Sequence, residues 1–447
     1  MRRLLSALAA GALALTCLTA ASTAPATAAP AVAEAADSGS FDVLTYNIAG
    51  LPAGLGDSDP ETNTPLIGQR LGPYDIVNVQ EDFNYHAALY ANDGHPHRTA
   101  TSGGAGFGDG LNTLSGYPFE DFQRVRWKNC TNADCLTPKG FTLARVRLAE
   151  GVFVDLYNVH TNADVTDAAL AARRANIVQL SDFIQANSAG NAVIVMGDTN
   201  TRYTRAGDNI RTLLDDNGLA DPWVDLIRGG DIPAPGSDTL GCDKAAPTDD
   251  CEVVDKVLYR GSDLVHLTAT RYENAWRSFL RDDGEHLSDH YPHAVGFSWS
   301  LPDGGLRASD FFGGPHGTAF NDAVRLPATL APRTLTLRGA ARLDALSLTH
   351  DDGTVLRHGG TGGTAASLTL GAGEHLTSVT LSKGKKDGRT RLFSAAFTTD
   401  QGRTVSAGTA TSDRVTLSAP PGRRIVGFTG RSGDEIDKLG VLYAPIG

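Results

Sequence analysis

The chain has 447 residues, too many for one ordinary core, and its make-up of 41% hydrophobic and 20% charged residues is that of a globular protein with two or three domains. Its formal net charge of −12 is unevenly spread: Ala29 to Ser300 carries 20 Lys and Arg against 38 Asp and Glu, whereas Leu301 onward carries 17 against 13. So acidic a first part lacks the broad basic footprint of a nonspecific polyanion binder, which weighs against nucleic acid, although a bound divalent cation would offset some of that charge locally.

In chain order, Arg2 and Arg3 precede a Leu/Ala run to about Ala20 and then Ala26-Thr27-Ala28, the layout of an export signal over residues 1–28 and hence of a secreted, extracellular protein. Cys17 follows Thr16, a poor residue for lipid attachment. Cys130, Cys135, Cys242 and Cys251 remain after export, an even number, paired closely in sequence. In an oxidising compartment they read as two short-loop disulfides, and their spacing matches no zinc pattern. Strands are predicted at Phe41–Tyr46, Asp75–Gln80, Val152–Tyr157, Ala192–Met196 and Val253–Leu258, and an amphipathic helix at Asp167–Ala186, which together read as layered α/β. After Leu301-Pro302-Asp303-Gly304-Gly305 the composition turns to Thr, Leu, Gly and Ser with frequent turn signals, the pattern of an all-β domain. The expected division is therefore 29–304 and 305–447.

Polar residues fall at the ends of the predicted strands. Asn47 closes the first and Glu81 the second; His160 lies past the third, Asp198 and Asn200 past the fourth, Asp255 in the last, and Asp289-His290 near the domain end. Side chains at strand ends of an α/β sandwich share a rim that a ligand can reach. Carboxylate and amide oxygens suit a hard, hydrated ion such as Mg²⁺, and histidines beside them exchange protons near neutral pH. Any one of these residues alone is more often a turn former or a surface group; their joint order carries the signal.

At these positions the sequence resembles the endonuclease/exonuclease/phosphatase superfamily, on the motifs Leu44-Thr45-Tyr46-Asn47, Val79-Gln80-Glu81, Asn158-Val159-His160-Thr161, Gly197-Asp198-Thr199-Asn200, Val254-Asp255-Lys256-Val257 and Ser288-Asp289-His290-Tyr291-Pro292. The resemblance implies a four-layer α/β sandwich like that of deoxyribonuclease I and attack of water on a phosphorus ester. It implies Mg²⁺, with Mn²⁺ or Co²⁺ as alternatives, on Glu81 and Asn47, and Asp289 on the metal or orienting His160. Asp198 and Asn200 would bind a phosphate oxygen, orient the nucleophile or share a second metal. His160, and His290 held by Asp255, would supply proton transfer and phosphate contacts.

Within that superfamily, Gly110–Pro118, Trp127-Lys128-Asn129-Cys130 and Thr137-Pro138-Lys139-Gly140-Phe141 are similar to the secreted sphingomyelinase branch. Phospholipase-C-type cleavage of a membrane phosphodiester lipid is the expected reaction, with a secreted nuclease as the alternative and phosphomonoesterase activity third. Ala275–Leu280 matches the region where that branch carries a hairpin with exposed aromatics, so Trp276 and Phe279 would make peripheral membrane contact if they are not core residues.

The C-terminal stretch resembles jacalin-related lectins on Phe312–Gly317, His358–Gly363, Gly373–Val379 and Ile425–Asp437. This implies an all-β prism binding glycans through Gly314 and the loop Gly433-Asp434-Glu435-Ile436-Asp437. Asp437 would accept from two sugar hydroxyls, Asp434 and Glu435 would donate backbone N–H, and Gly314 would permit close approach. Glu435 departs from the apolar or aromatic residue common there. A protein that is chiefly a lectin with a degenerate enzyme half is the reading of a different class; all the expected catalytic positions carry the right residue type.

Overall fold

The computed structural model describes residues 36–56, 58–103 and 107–447, and Ala36–Gly447 forms one compact unit. The expected export signal and Cys17 lie outside the described residues.

Two sheets make the N-terminal half. The first has six strands, β1 (Ser38–Asn47), β2 (Ile76–Gln80), β3 (His97–Arg98), β4 (Asn112–Ser115), β10 (His266–Asn274) and β11 (His293–Ser300), in the order β10-β11-β1-β2-β4-β3. The second runs in chain order through β5 (Phe119–Arg126), β6 (Gly140–Ala149), β7 (Val152–His160), β8 (Ala192–Asp198) and β9 (Asp255–Arg260). Only β1–β2 and β7–β8 pair in parallel within these sheets. Alternation along β1 explains the layering: Phe41 and Val43 join the core between the sheets, while Leu44 and Tyr46 face outward to pack with Ile67, Leu71 and Leu89. Those outer residues come from or border helices α1 (Pro60–Gly68) and α2 (His86–Ala91). On the far side, helix α3 (Asp167–Asn187) buries Ile177, Leu180 and Ile184, and α4 (Ile210–Asn217) buries Leu213, against the five-stranded sheet. The result is the four-layer sandwich.

The C-terminal half is a prism of three sheets. One holds Pro332–Gly339, Leu343–His350, Val355–Gly359 and Thr364–Thr369; a second holds Leu376–Lys386, Arg389–Thr399, Thr404–Gly408 and Arg414–Ser418. The third is built on the long hairpin Arg423–Ser432 and Ile436–Pro445. All three send apolar side chains, among them Leu335, Leu346, Leu381, Phe397, Phe428 and Val441, into one core.

The halves share buried surface. Val426, Leu442 and Ala444 of the prism belong to the core cluster of the sandwich. Arg147 clamps Asp310 with two bonds of 2.9 and 2.7 Å, and Lys438 lies 2.6 Å from both Glu120 and Asp121. At the turn between β6 and β7, Gly151 has φ +68° and a Cβ there would sit 2.1 Å from Ala308 O, so that turn accepts only glycine. Antiparallel pairing puts this turn at one end of β7 and His160 at the other, so the prism docks on the rim opposite the strand ends singled out above.

Cys130, Cys135, Cys242 and Cys251 form the disulfides Cys130–Cys135, in the β5–β6 loop, and Cys242–Cys251, before β9. Trp276 and Phe279 are not on an exposed hairpin. Ala275–Phe279 is a short 3-10 turn whose Phe279, 1% exposed, packs edge-on to Tyr46, and whose Trp276 donates from Nε1 to Pro247 O at 2.9 Å. Aromatic burial under the rim wins because Tyr46 and Tyr74 leave a slot for Phe279.

Candidate active site

Odd-numbered positions of β1 face the second sheet, so Asn47 ends the strand pointing between the sheets. Its Nδ2 donates to Glu81 Oε1 and to Asp198 Oδ2, both at 3.2 Å, and its Oδ1 accepts from Ala49 N at 3.1 Å. Ser288 Oγ grips the Asn47 carbonyl at 2.7 Å and accepts from His290 N at 3.2 Å, tying the loop before β11 to the end of β1.

Around Asp198 the histidines gather. His160 Nε2 lies 3.3 Å from Asp198 Oδ2 and 3.8 Å from Glu81 Oε1. His290 Nε2 is 3.7 Å from the same Asp198 oxygen, and its Nδ1 is 2.9 Å from Asp255 Oδ2. Asp198 Oδ1 accepts from Asn200 N at 2.9 Å. Glu81 and Asn200 both hold left-handed backbone, φ +58° and +50°, which non-glycine residues adopt at a cost and which clusters at functional sites.

The electrostatics follow from burial and neighbours. Burial opposes ionisation of Asp198, but His290 and His160 outweigh it and hold this carboxyl well below the usual carboxylate range. Burial disfavours the charged form of His290, yet Asp255 and Asp198 override it and raise its pKa well above the ordinary value. Asp255 is itself raised, chiefly by burial, against the pull of His290.

Of the expected site, Asn47, Glu81, His160, Asp198, Asp255 and His290 come together. Asn200 joins through its backbone, while its side-chain Nδ2 reaches Thr161 O at 3.4 Å. Asp289 does not join: it is exposed, and among the described residues its carboxylate accepts only from Ser288 Oγ at 3.4 Å and His160 Nδ1 has no hydrogen-bond partner. The turn Ser288–His290 can send one of two successive side chains inward, and here that is His290. Ligand atoms of Asp198, Asp255 and His290 lie within 4.8 Å of one another, and Glu81 Oε1 and Asp198 Oδ2 flank the Asn47 amide. A donor set dominated by carboxylate oxygen fits a hard divalent ion.

Supporting residues were passed over in the sequence. Gln80 Nε2 donates to Asn158 Oδ1 at 2.8 Å, Asn158 Nδ2 to Val79 O and Asn112 O at 3.0 Å, and Trp127 Nε1 to His160 O at 2.7 Å. For Gln80 and Asn158 the signal is an amide at an inward position of an apolar strand, where a core should stand; Trp127 carries no such signal.

In the prism, Gly433, Asp434, Glu435 and Asp437 line a pocket of about 310 Å³ with Lys386, Arg389 and Arg391. Asp437 is not free to meet two hydroxyls: it is 0% exposed and one oxygen accepts from Arg391 Nη1. Gly314 serves the protein's own packing, since a Cβ there would lie 2.3 Å from Thr390 O.

Residues 63–244 match the family model described as Endonuclease/Exonuclease/phosphatase family 2, and residues 309–442 match the Jacalin-like lectin domain. The chain joins an endonuclease/exonuclease/phosphatase domain to a jacalin-like lectin domain. A protein named Sphingomyelinase from Mycobacterium tuberculosis (strain ATCC 25618 / H37Rv) is 40% identical over 283 residues, 60% of this chain and 55% of that protein. The chain thus spans about half the length of the curated relatives it matches first. Among solved structures, Sphingomyelinase C from Streptomyces griseocarneus is 19% identical with a TM-score of 0.40, covering 58% of this chain and 99% of that one. AcmJRL, a mannose binding jacalin related lectin from Ananas comosus, is 24% identical with a TM-score of 0.29, covering 32% of this chain and 99% of its own.

Proposed function

We propose that the chain is a secreted, divalent-metal-dependent phosphodiesterase that removes the head group of sphingomyelin or a related phosphodiester lipid in the manner of a phospholipase C, while its lectin domain binds glycan. The observation that carries this reading is the convergence of Asn47, Glu81, His160, Asp198, Asp255 and His290, from six separate segments, on one rim. Mg²⁺, or Mn²⁺ or Co²⁺ in its place, would be held by Glu81 and Asp198 beside Asn47, and when bound would neutralise charge on the phosphate oxygens.

The protein's own groups do the rest. Asp255 occupies Nδ1 of His290, which leaves Nε2 to take the proton of the attacking water or give one to the departing alcohol. The two flanking carboxylates favour its protonated form. His160, its backbone carbonyl held by Trp127, aims Nε2 at the same spot and contacts a phosphate oxygen. Water bonds to phosphorus, the bond to the lipid alcohol breaks, and the alcohol leaves with a proton.

Lipid is favoured over nucleic acid by the relatives named sphingomyelinase, by the acidity of the first 300 residues, and by what surrounds the site. Leu55, Leu136 and Val165 are 67%, 78% and 61% exposed and sit on the loops that leave β1, enter β6 and leave β7, all at the catalytic rim. They offer an apolar crown for peripheral membrane contact in place of Trp276 and Phe279. Incubation with sphingomyelin vesicles, phosphatidylcholine vesicles and duplex DNA, each with Mg²⁺, tests the reading. Phosphocholine from sphingomyelin vesicles is the expected product; nicked DNA with no phosphocholine would replace the lipid reading with a nuclease.

A further inference from the structure

The pocket beside the Gly433–Asp437 loop is charged where a site for neutral sugar should offer free acceptors. Asp437 is wholly buried, one of its oxygens held by Arg391 and the other, Oδ2, without a hydrogen-bond partner among the described residues. Glu435 receives Arg342 through two bonds of 2.8 and 2.5 Å, and Lys386 and Arg391 approach it at 3.4 and 3.5 Å. Arg391 therefore bridges both carboxylates. Arg389 lines the pocket with no ion pair or hydrogen bond among the described residues. Lys386, Arg389 and Arg391 thus line an opening with three acidic residues, of which Glu435 is paired by Arg342 and Asp437 by Arg391, while Asp434 is exposed.

A neutral sugar reaching Asp437 must displace the Arg391 guanidinium and brings no anion to take the place of the carboxylate. It would also leave the Arg391 guanidinium without its carboxylate. A sugar that brings its own carboxylate or sulfate displaces the same bond but gives the guanidinium an anion in exchange. Its anion takes Arg391 and Arg389 in the fork geometry guanidinium favours, and Asp437 is released to accept from ring hydroxyls, its idle Oδ2 included. We propose that this pocket selects anionic glycans, carrying a carboxylate or a sulfate, over neutral ones.

This inference rests on the lectin domain binding sugar and is independent of the lipid chemistry. Calorimetric titration of the full chain with methyl β-D-glucuronide and methyl β-D-glucoside compares two ligands that differ only in carboxylate against hydroxymethyl. N-acetylglucosamine 6-sulfate against N-acetylglucosamine does the same for sulfate. At least one anionic member of a pair should bind about tenfold or more tighter than its neutral partner, with affinity falling as salt rises. Arg391→Gln should abolish that preference, and the exposed Arg389→Gln, which leaves the Asp437 bond intact, should reduce it by about threefold or more. Neutral sugars binding as tightly as both anionic ones overturns the inference and leaves the lectin reading standing. Silence toward all four overturns both. A preference unchanged in both variants overturns the assignment to these arginines.

Discussion

A buried histidine outside the candidate catalytic cluster sets an acid limit on the protein. His293 is fully buried beside Tyr272, with Lys256 and His290 near, and burial first, then those cations, push its pKa down to about 3. Folded protein keeps it neutral, whereas the unfolded chain takes up a proton below about 6.5, so stability from this residue is complete above that pH and is lost as pH falls toward about 3. The loss reaches roughly 4–5 kcal/mol at the low end. Urea denaturation at a series of pH values should show His293→Gln losing stability less steeply than the parent between pH 6.5 and 3. Parallel slopes would mean the histidine is not buried neutral. At this scale the sequence was legible where chemistry repeats in motifs: Asn47, Glu81, His160, Asp198, Asp255 and His290 all meet. It was illegible where one rotation of a turn decides, as for Asp289, and where ion pairing decides, as for Asp437.

Elements were readable in proportion to how regular their pattern is. Helix α3, expected at Asp167–Ala186, spans Asp167–Asn187, capped by Thr166, whose side chain accepts from Ala169 N. Thr166→Ala should cost about 1 kcal/mol in chemical denaturation. Helix α1 escaped notice because Pro65 lies inside it and its nine residues carry little apolar periodicity. For the short turn at Ala275–Phe279 the sequence left core and interface both open, because exposure depends on Tyr46 and Tyr74, far away in the chain. On the proposed lipid reading the exposed loop tip at Leu136 would be the interfacial element: Leu136→Asp should weaken cosedimentation with sphingomyelin vesicles about tenfold, the loss of one buried leucine. Unchanged sedimentation would remove the apolar crown from the account.

As a whole, the molecule departs from beads on a string. Lys438 sits 3% exposed between Glu120 and Asp121 of the sandwich, and Val426 and Leu442 complete the sandwich core. Taking away one partner of a buried pair leaves charge stranded, so Lys438→Ala should lower the stability of the whole unit by roughly 3–5 kcal/mol, seen as a single displaced transition rather than one of two. The composition shift near residue 305 announced two architectures, but nothing in the sequence announced that they share a core, because interface residues such as Leu442 obey the same alternation as interior ones. A glycan held by the prism would thus hold the catalytic rim, at the opposite end of β7, in a defined direction.

Everything catalytic in this account turns on Glu81 and its neighbours gathering a divalent ion against a phosphodiester. Phosphocholine release from sphingomyelin vesicles with Mg²⁺ present, measured for the parent and for Glu81→Gln, tests it most directly. A fall in kcat/KM of about 10³-fold is predicted, the loss of one charged ligand's share of charge neutralisation. Parental turnover in Glu81→Gln would contradict it and move the active site elsewhere.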